Sequence, residues 1–127
     1  MTTENTLNLK GSKRYYAIGE TIIKEGDPSE GWFVLLHGRV GVYKKDLSVT
    51  ELQHRGTVFG ELGCILKKPR TATIVALEAT AVLFVQMDID EVIKNHPDLT
   101  KRILVGLAER LAQTTESWWA SVELAEA

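Results

Sequence analysis

The sequence predicts a mainly β domain with C-terminal helices: an antiparallel double-stranded β-helix (jelly roll) with flanking α-helices. Three observations carry that expectation. From Tyr15 to Met87, short apolar runs alternate with turns built on Gly and Asp, the texture of an antiparallel sandwich or barrel rather than of βαβ units. After Met87 the punctuation stops and apolar residues recur at helical intervals,. A length of 127 residues with 44% hydrophobic content suits one core and leaves no room for a second domain,.

Residues 1–14 are mostly polar, interrupted by Leu7 and Leu9, and are expected to be a tail or short ordered arm. The domain is expected over residues 15–127, with a β-roll at 15–87 and helices at 88–126. Within the roll, Thr21-Ile22-Ile23 reads as a strand and Glu25-Gly26-Asp27-Pro28 as a turn,. Trp32 to Leu36 is a second strand, closed by His37-Gly38, and Val40 to Tyr43 a third. Arg55-Gly56 marks another turn, followed by apolar runs from Ala72 to Leu77 and from Ala81 to Val85. A first helix begins at Asp88, where Asp88, Asp90 and Glu91 complement the dipole, and stops before Pro97,. A longer helix starts at Pro97, tolerated in a first turn. Leu104, Leu107, Leu111, Trp118 and Val122 recur along it at three- and four-residue intervals, with Thr114 in the same stripe. Such a helix outreaches a small β domain. It is expected to meet another surface through Trp118 and Trp119, a residue type enriched at interfaces, with stacking of one of these rings on a bound ligand as the alternative.

Composition excludes several classes. The formal net charge of −2 provides no global field for nucleic acid or an acidic membrane,. Cys64 is the single cysteine, so no internal disulfide forms, and it reads as a small core residue without chemistry,. The opening Met-Thr-Thr-Glu-Asn is not a secretory leader, and no apolar stretch approaches the roughly 20 residues that span a bilayer; a cytoplasmic location is expected,. His37, His54 and His96 lack ligand spacing, so no metal is expected and they read as solvated loop residues,. No nucleophile–base pair is apparent, and the chain is not expected to be an enzyme.

The most informative segment runs from Gly56 to Thr73. Gly60-Glu61-Leu62-Gly63, followed by Cys64-Ile65-Leu66, can begin a helix whose free N–H groups hold a phosphate monoanion, with glycine permitting close approach,. Arg70 adds a planar, charge-assisted fork, and one arginine suits one negative charge,. Glu61, acceptor-only as a carboxylate, suits a sugar hydroxyl and repels a phosphate,. Thr71 offers a further hydroxyl. The alternative is a Gly-rich corner with a Glu61–Arg70 ion pair, in a β-roll that docks a protein and binds no nucleotide.

Phe59-Gly60-Glu61-Leu62 together with Pro69-Arg70-Thr71-Ala72-Thr73 resembles the phosphate-binding cassette of the cyclic nucleotide-binding domain family, shared by protein kinase A regulatory subunits, hyperpolarisation-activated channels and the catabolite activator protein. The resemblance extends through Gly19-Glu20-Thr21-Ile22, Glu25-Gly26-Asp27, Phe33-Val34-Leu35 and Gly38-Arg39-Val40, and covers roughly Tyr15 to Leu111. It implies cAMP or cGMP as ligand. It further implies main-chain or close-packing contacts from Gly60, Leu62 and Gly63, a 2′-hydroxyl contact from Glu61, and cyclic phosphate contacts from Arg70 and Thr71, with Phe59 and Ala72 completing the cassette. Thr114 and Thr115 resemble the hydroxyl pair that the activator protein's long helix presents to the purine, and homodimerisation through that helix is implied with them. Residues 1–14 lack the helix that relatives place before the first strand, and no helix-turn-helix follows before Ala127. A free-standing sensor acting through a separate effector protein is the resulting expectation.

Overall fold

The structure, a computed structural model, describes residues 9–126, without the side chains of 121–126. Its strands pair as one long antiparallel ribbon. Strand β1 (Ser12–Tyr16) pairs with β8 (Thr80–Val85), and β2 (Thr21–Ile23) with β7 (Thr73–Ala76). Inside them, β3 (Trp32–His37) pairs with β6 (Val58–Phe59), and β4 (Val40–Lys44) with β5 (Leu47–Leu52). Winding the ribbon brings β3 against β8 and β4 against β7. Two four-stranded sheets result, in the orders β1-β8-β3-β6 and β2-β7-β4-β5. This is the expected antiparallel roll. At the ribbon's apex Lys45 and Asp46 both take left-handed conformations, with φ of 49° and 68°, the geometry of a tight turn whose twist matches its strands.

Burial follows position in the sheets. Trp32 to Leu36 of the inner strand β3 is buried without a break, whereas the inner strand β7 alternates between buried and half-buried positions. Ile23, Phe33, Leu35, Val40, Phe59, Ile74, Val82 and Phe84 form the core cluster. Phe33 stacks on Phe59 at 5.2 Å and lies tilted to Phe84 at 5.1 Å between centroids. Each fully buried side chain of this size contributes about 1.5–3 kcal/mol.

Three strands fall outside the sequence expectation, one of them the two-residue β6, too short to leave a pattern. Of the others, β1 begins at Ser12, within the residues expected to be a tail or short arm, and β5 matches no expected element. Both are edge strands and almost wholly exposed, so neither carries the apolar alternation that marks a half-buried strand. Arg14 of β1, though exposed, lies with its guanidinium 3.8 Å from the Phe84 ring centroid,. Residues 1–8, the larger part of the expected tail, lie outside the described residues.

The chain divides into two compact units, Met1–Ile89 and Asp90–Ala127. Helix α1 (Glu61–Leu66) belongs to the first; α2 (Ile89–Asn95) and α3 (Pro97–Glu126) lie essentially in the second and begin close to where the sequence places them. Asp90 and Glu91 open α2 and Lys94 closes it, each sign complementing the dipole,. Val92, Leu99 and Ile103 are buried, whereas Leu104, Leu111, Trp118 and Trp119 are exposed. Val122, assigned to the same stripe, lies outside the described side chains. His37 ends β3 rather than lying in a loop, and is exposed. No helix of the described residues is long and apolar enough to cross a membrane, and among them no group of three or more His, Cys, Asp or Glu residues is placed to hold a metal.

Candidate ligand-binding site

The ribbon's two longest insertions lie on opposite legs. Between β2 and β3 the outgoing leg carries the loop of residues 24–31, and between β6 and β7 the returning leg carries α1 and the segment to Ala72. Because β2 pairs with β7 and β3 with β6, the two insertions are forced to face each other. Their backbones join where Gly26 N–H donates to Arg70 O at 2.9 Å and Arg70 N–H donates to Asp27 O at 2.8 Å.

Helix α1 is entered through Gly60, in the left-handed region with φ 77°, and no side chain caps its first turn. The opening N–H groups of a helix lack intrahelical partners and concentrate positive potential. The φ favours glycine, and a Cβ at Gly60 would press on the side-chain ends of Ile23, 2.8 Å from its Cδ1, and of Arg70, 3.2 Å from its Nη1. Gly63 packs more tightly still: a Cβ there would fall on Ser29 Oγ and stand 2.9 Å from Lys68 O. The helix ends at left-handed Lys67, and Lys68 N–H donates to Gly63 O at 2.9 Å,.

Arg70 is buried at 9% exposure, and its Nη1 donates to Gly60 O at 2.8 Å. Its guanidinium lies 5.8 Å from the Phe33 ring centroid. Glu61, in the first turn of α1, is buried at 2%. A guanidinium and a carboxylate withdrawn from water beside a glycine-opened helix start can grip one anionic oxygen pair and, separately, accept from hydroxyls. Cys64 is half-buried, and its thiol donates to Gly31 O at 3.3 Å. Burial pushes its pKa up, partly opposed by the Arg70 charge,.

Phe59, Gly60, Glu61, Leu62, Gly63, Arg70, Thr71 and Ala72 thus gather in the first unit. Phe59 is 1% exposed and stacks on Phe33. Thr71 and Ala72 are half-buried. Thr114 and Thr115 belong to α3 in the second unit, exposed, with hydroxyls donating to Arg110 O and Leu111 O at 2.9 Å each. Sequence reasoning missed Ser29, whose hydroxyl donates to Lys68 O at 2.7 Å, and Phe33 beneath Arg70. Ser29 follows a segment read only as a turn, and nothing in one sequence announces that the turn faces α1.

A family model for the cyclic nucleotide-binding domain matches residues 13–96. The cGMP-dependent protein kinase of Plasmodium berghei is 40% identical over 63 residues, 50% of this chain and 7% of the kinase. The cAMP-dependent protein kinase regulatory subunit of Aspergillus fumigatus is 40% identical over 62 residues, 48% of this chain and 15% of the subunit. The matched region is therefore a small part of each relative's length. Among solved structures, the catabolite activator protein of Thermus thermophilus superposes with a TM-score of 0.71 at 25% identity, over 83% of this chain and 52% of that one. PKAR CBD2 bound to Sp-2Cl-cAMPS gives a TM-score of 0.64 at 29% identity, over 80% of this chain and 67% of that one. With the roll, the glycine-opened helix and the buried Glu61 and Arg70 in place, this chain belongs to the cyclic nucleotide-binding domain family.

Proposed function

We propose that the chain is a cyclic nucleotide-binding sensor domain whose ligand is cAMP or cGMP, with a regulatory rather than a catalytic role. The observation that carries this is the burial of Arg70 beside the start of α1, with Glu61 buried in the same turn. Arg70 and the first N–H groups of α1 take the single negative charge of the cyclic phosphate, while Glu61 accepts from the ribose 2′-hydroxyl. Gly60 and Gly63 let the backbone approach, and Leu62, Thr71 and Ala72 line the cassette. Thr114 and Thr115 are assigned to the purine on the resemblance to the activator protein's long helix. The exposed Leu104, Leu111, Trp118 and Trp119 of α3 support pairing with a second copy, or docking of an effector protein, in a cytoplasmic setting. Ligand shifts the balance between two helix arrangements by as much as its affinities for them differ.

Titration calorimetry with cAMP, cGMP and linear 5′-AMP tests the function. Saturable binding of a cyclic nucleotide, with the doubly charged linear monophosphate weaker, is expected. A wild-type chain that binds neither cyclic nucleotide at millimolar concentration would overturn it.

A further inference from the structure

We propose that Lys44 and Glu25 are positioning residues for the nucleotide: a charged pair that ties the ribbon's apex to the residue 24–31 loop and holds the Thr71 carbonyl, next to the Arg70 peptide. The pair's role rests on the nucleotide-binding function proposed above. Lys44 Nζ donates to Thr71 O at 2.8 Å and lies 3.0 Å from Glu25 Oε2. The other oxygen of the same carboxylate accepts from Lys45 N–H at 3.0 Å, and the Glu25 N–H donates to Thr73 Oγ1 at 3.0 Å. Glu25 therefore touches both the apex and the returning leg. These bonds also hold Lys45 in its left-handed conformation, φ 49°, which a non-glycine residue adopts at a cost,. The carboxylate's pKa is lowered, first by the Lys45 N–H and then by Lys44, as expected for a group bonded in its charged form.

Residues 70–72 lie between α1 and β7, outside any strand, so the regular ladder does not fix them. The Arg70 peptide is held by Gly26 and Asp27. The next carbonyl, Thr71 O, is taken by Lys44. Fixing that carbonyl sets the plane of the Thr71–Ala72 peptide, and with it the direction of the groups offered to the phosphate. Lys44 is exposed and its charge is balanced by Glu25 at close range, so it acts through geometry rather than by drawing the anion in from solution. Its removal should then show in the release rate, since steering charges act on the association rate.

Lys44→Met and Lys44→Arg in the full chain test the pair. Calorimetry and stopped-flow kinetics with cAMP and cGMP should show Lys44→Met binding about threefold more weakly, a size suited to an exposed charged hydrogen bond. The loss should lie in faster release, with the association rate and melting temperature unchanged, and Lys44→Arg should restore it. In the ligand-free protein, amide exchange across residues 71–73 should speed up in Lys44→Met. Wild-type affinity in Lys44→Met, a loss confined to the association rate, or unchanged amide exchange would each overturn the inference. Failure of the wild type itself to bind would instead overturn the underlying function, and the exchange measurement would still decide whether Lys44 holds the segment.

Discussion

Replacing Gly63 by alanine adds one methyl group at the most crowded point of the site. The new Cβ would fall on Ser29 Oγ and stand 2.9 Å from both Ser29 Cβ and Lys68 O. Two of these atoms are already committed, because Ser29 Oγ donates to Lys68 O at 2.7 Å. Overpacking of this kind costs about 1–3 kcal/mol, and turning Ser29 aside forfeits a hydrogen bond worth about 1 kcal/mol. Alanine's better helix propensity returns about 1 kcal/mol. The net expectation is a domain less stable by about 1–3 kcal/mol, with α1 displaced and cyclic nucleotide affinity lowered in step. Urea denaturation followed by circular dichroism measures the first, calorimetry the second. Adding Ser29→Gly removes both serine contacts and should recover part of the loss, leaving only the approach to Lys68 O. A Gly63→Ala chain as stable as the wild type, or more stable by the propensity gain alone, would refute the close packing of α1 against the residue 24–31 loop.

Other consequences can be checked separately. If the exposed Trp118 and Trp119 form an interface between copies, their joint replacement by alanine should convert a dimer into a monomer by light scattering, at little cost in melting temperature. Thr114→Val and Thr115→Val, which keep shape and lose the hydroxyl, should weaken nucleotide binding severalfold, by about one hydrogen bond, without altering helicity by circular dichroism; equal affinity would remove them from the site. Burial raises the Cys64 pKa, so alkylation at neutral pH should be slower than that of an exposed thiol and should accelerate only at higher pH. With the folded value raised, the associated stability is present below the unfolded thiol's pKa and is lost as pH rises through the folded one. Denaturation midpoints across pH 7–10 should follow that direction in the wild type and lose it in Cys64→Ala.

The elements visible in the sequence are those whose burial leaves a pattern. The run Trp32 to Leu36 is apolar at every position and buried throughout, and α2 and α3 are announced by acidic residues, Pro97 and a helical period. Edge strands β1 and β5 leave no such trace, because backbone pairing with a neighbour rather than apolar burial holds them. The cassette was legible for a different reason: Gly60, Glu61, Gly63 and Arg70 are residue types with a chemical purpose at a short spacing. Its supports were not. Ser29, Phe33, Glu25 and Lys44 reach it only through the ribbon's pairing, at separations such as the 39 residues between Ser29 and Lys68. Long-range register is what a single sequence hides.

The most direct measurement is the affinity of Arg70→Ala for cAMP and cGMP beside that of the wild type, by titration calorimetry at matched pH and salt. On the proposed function the buried guanidinium, bonded to Gly60 O, pairs with the cyclic phosphate, which predicts at least tenfold weaker binding, about 1.4 kcal/mol, in a chain that still melts cooperatively. Unchanged affinity in a folded Arg70→Ala chain would contradict capture of the phosphate by this arginine.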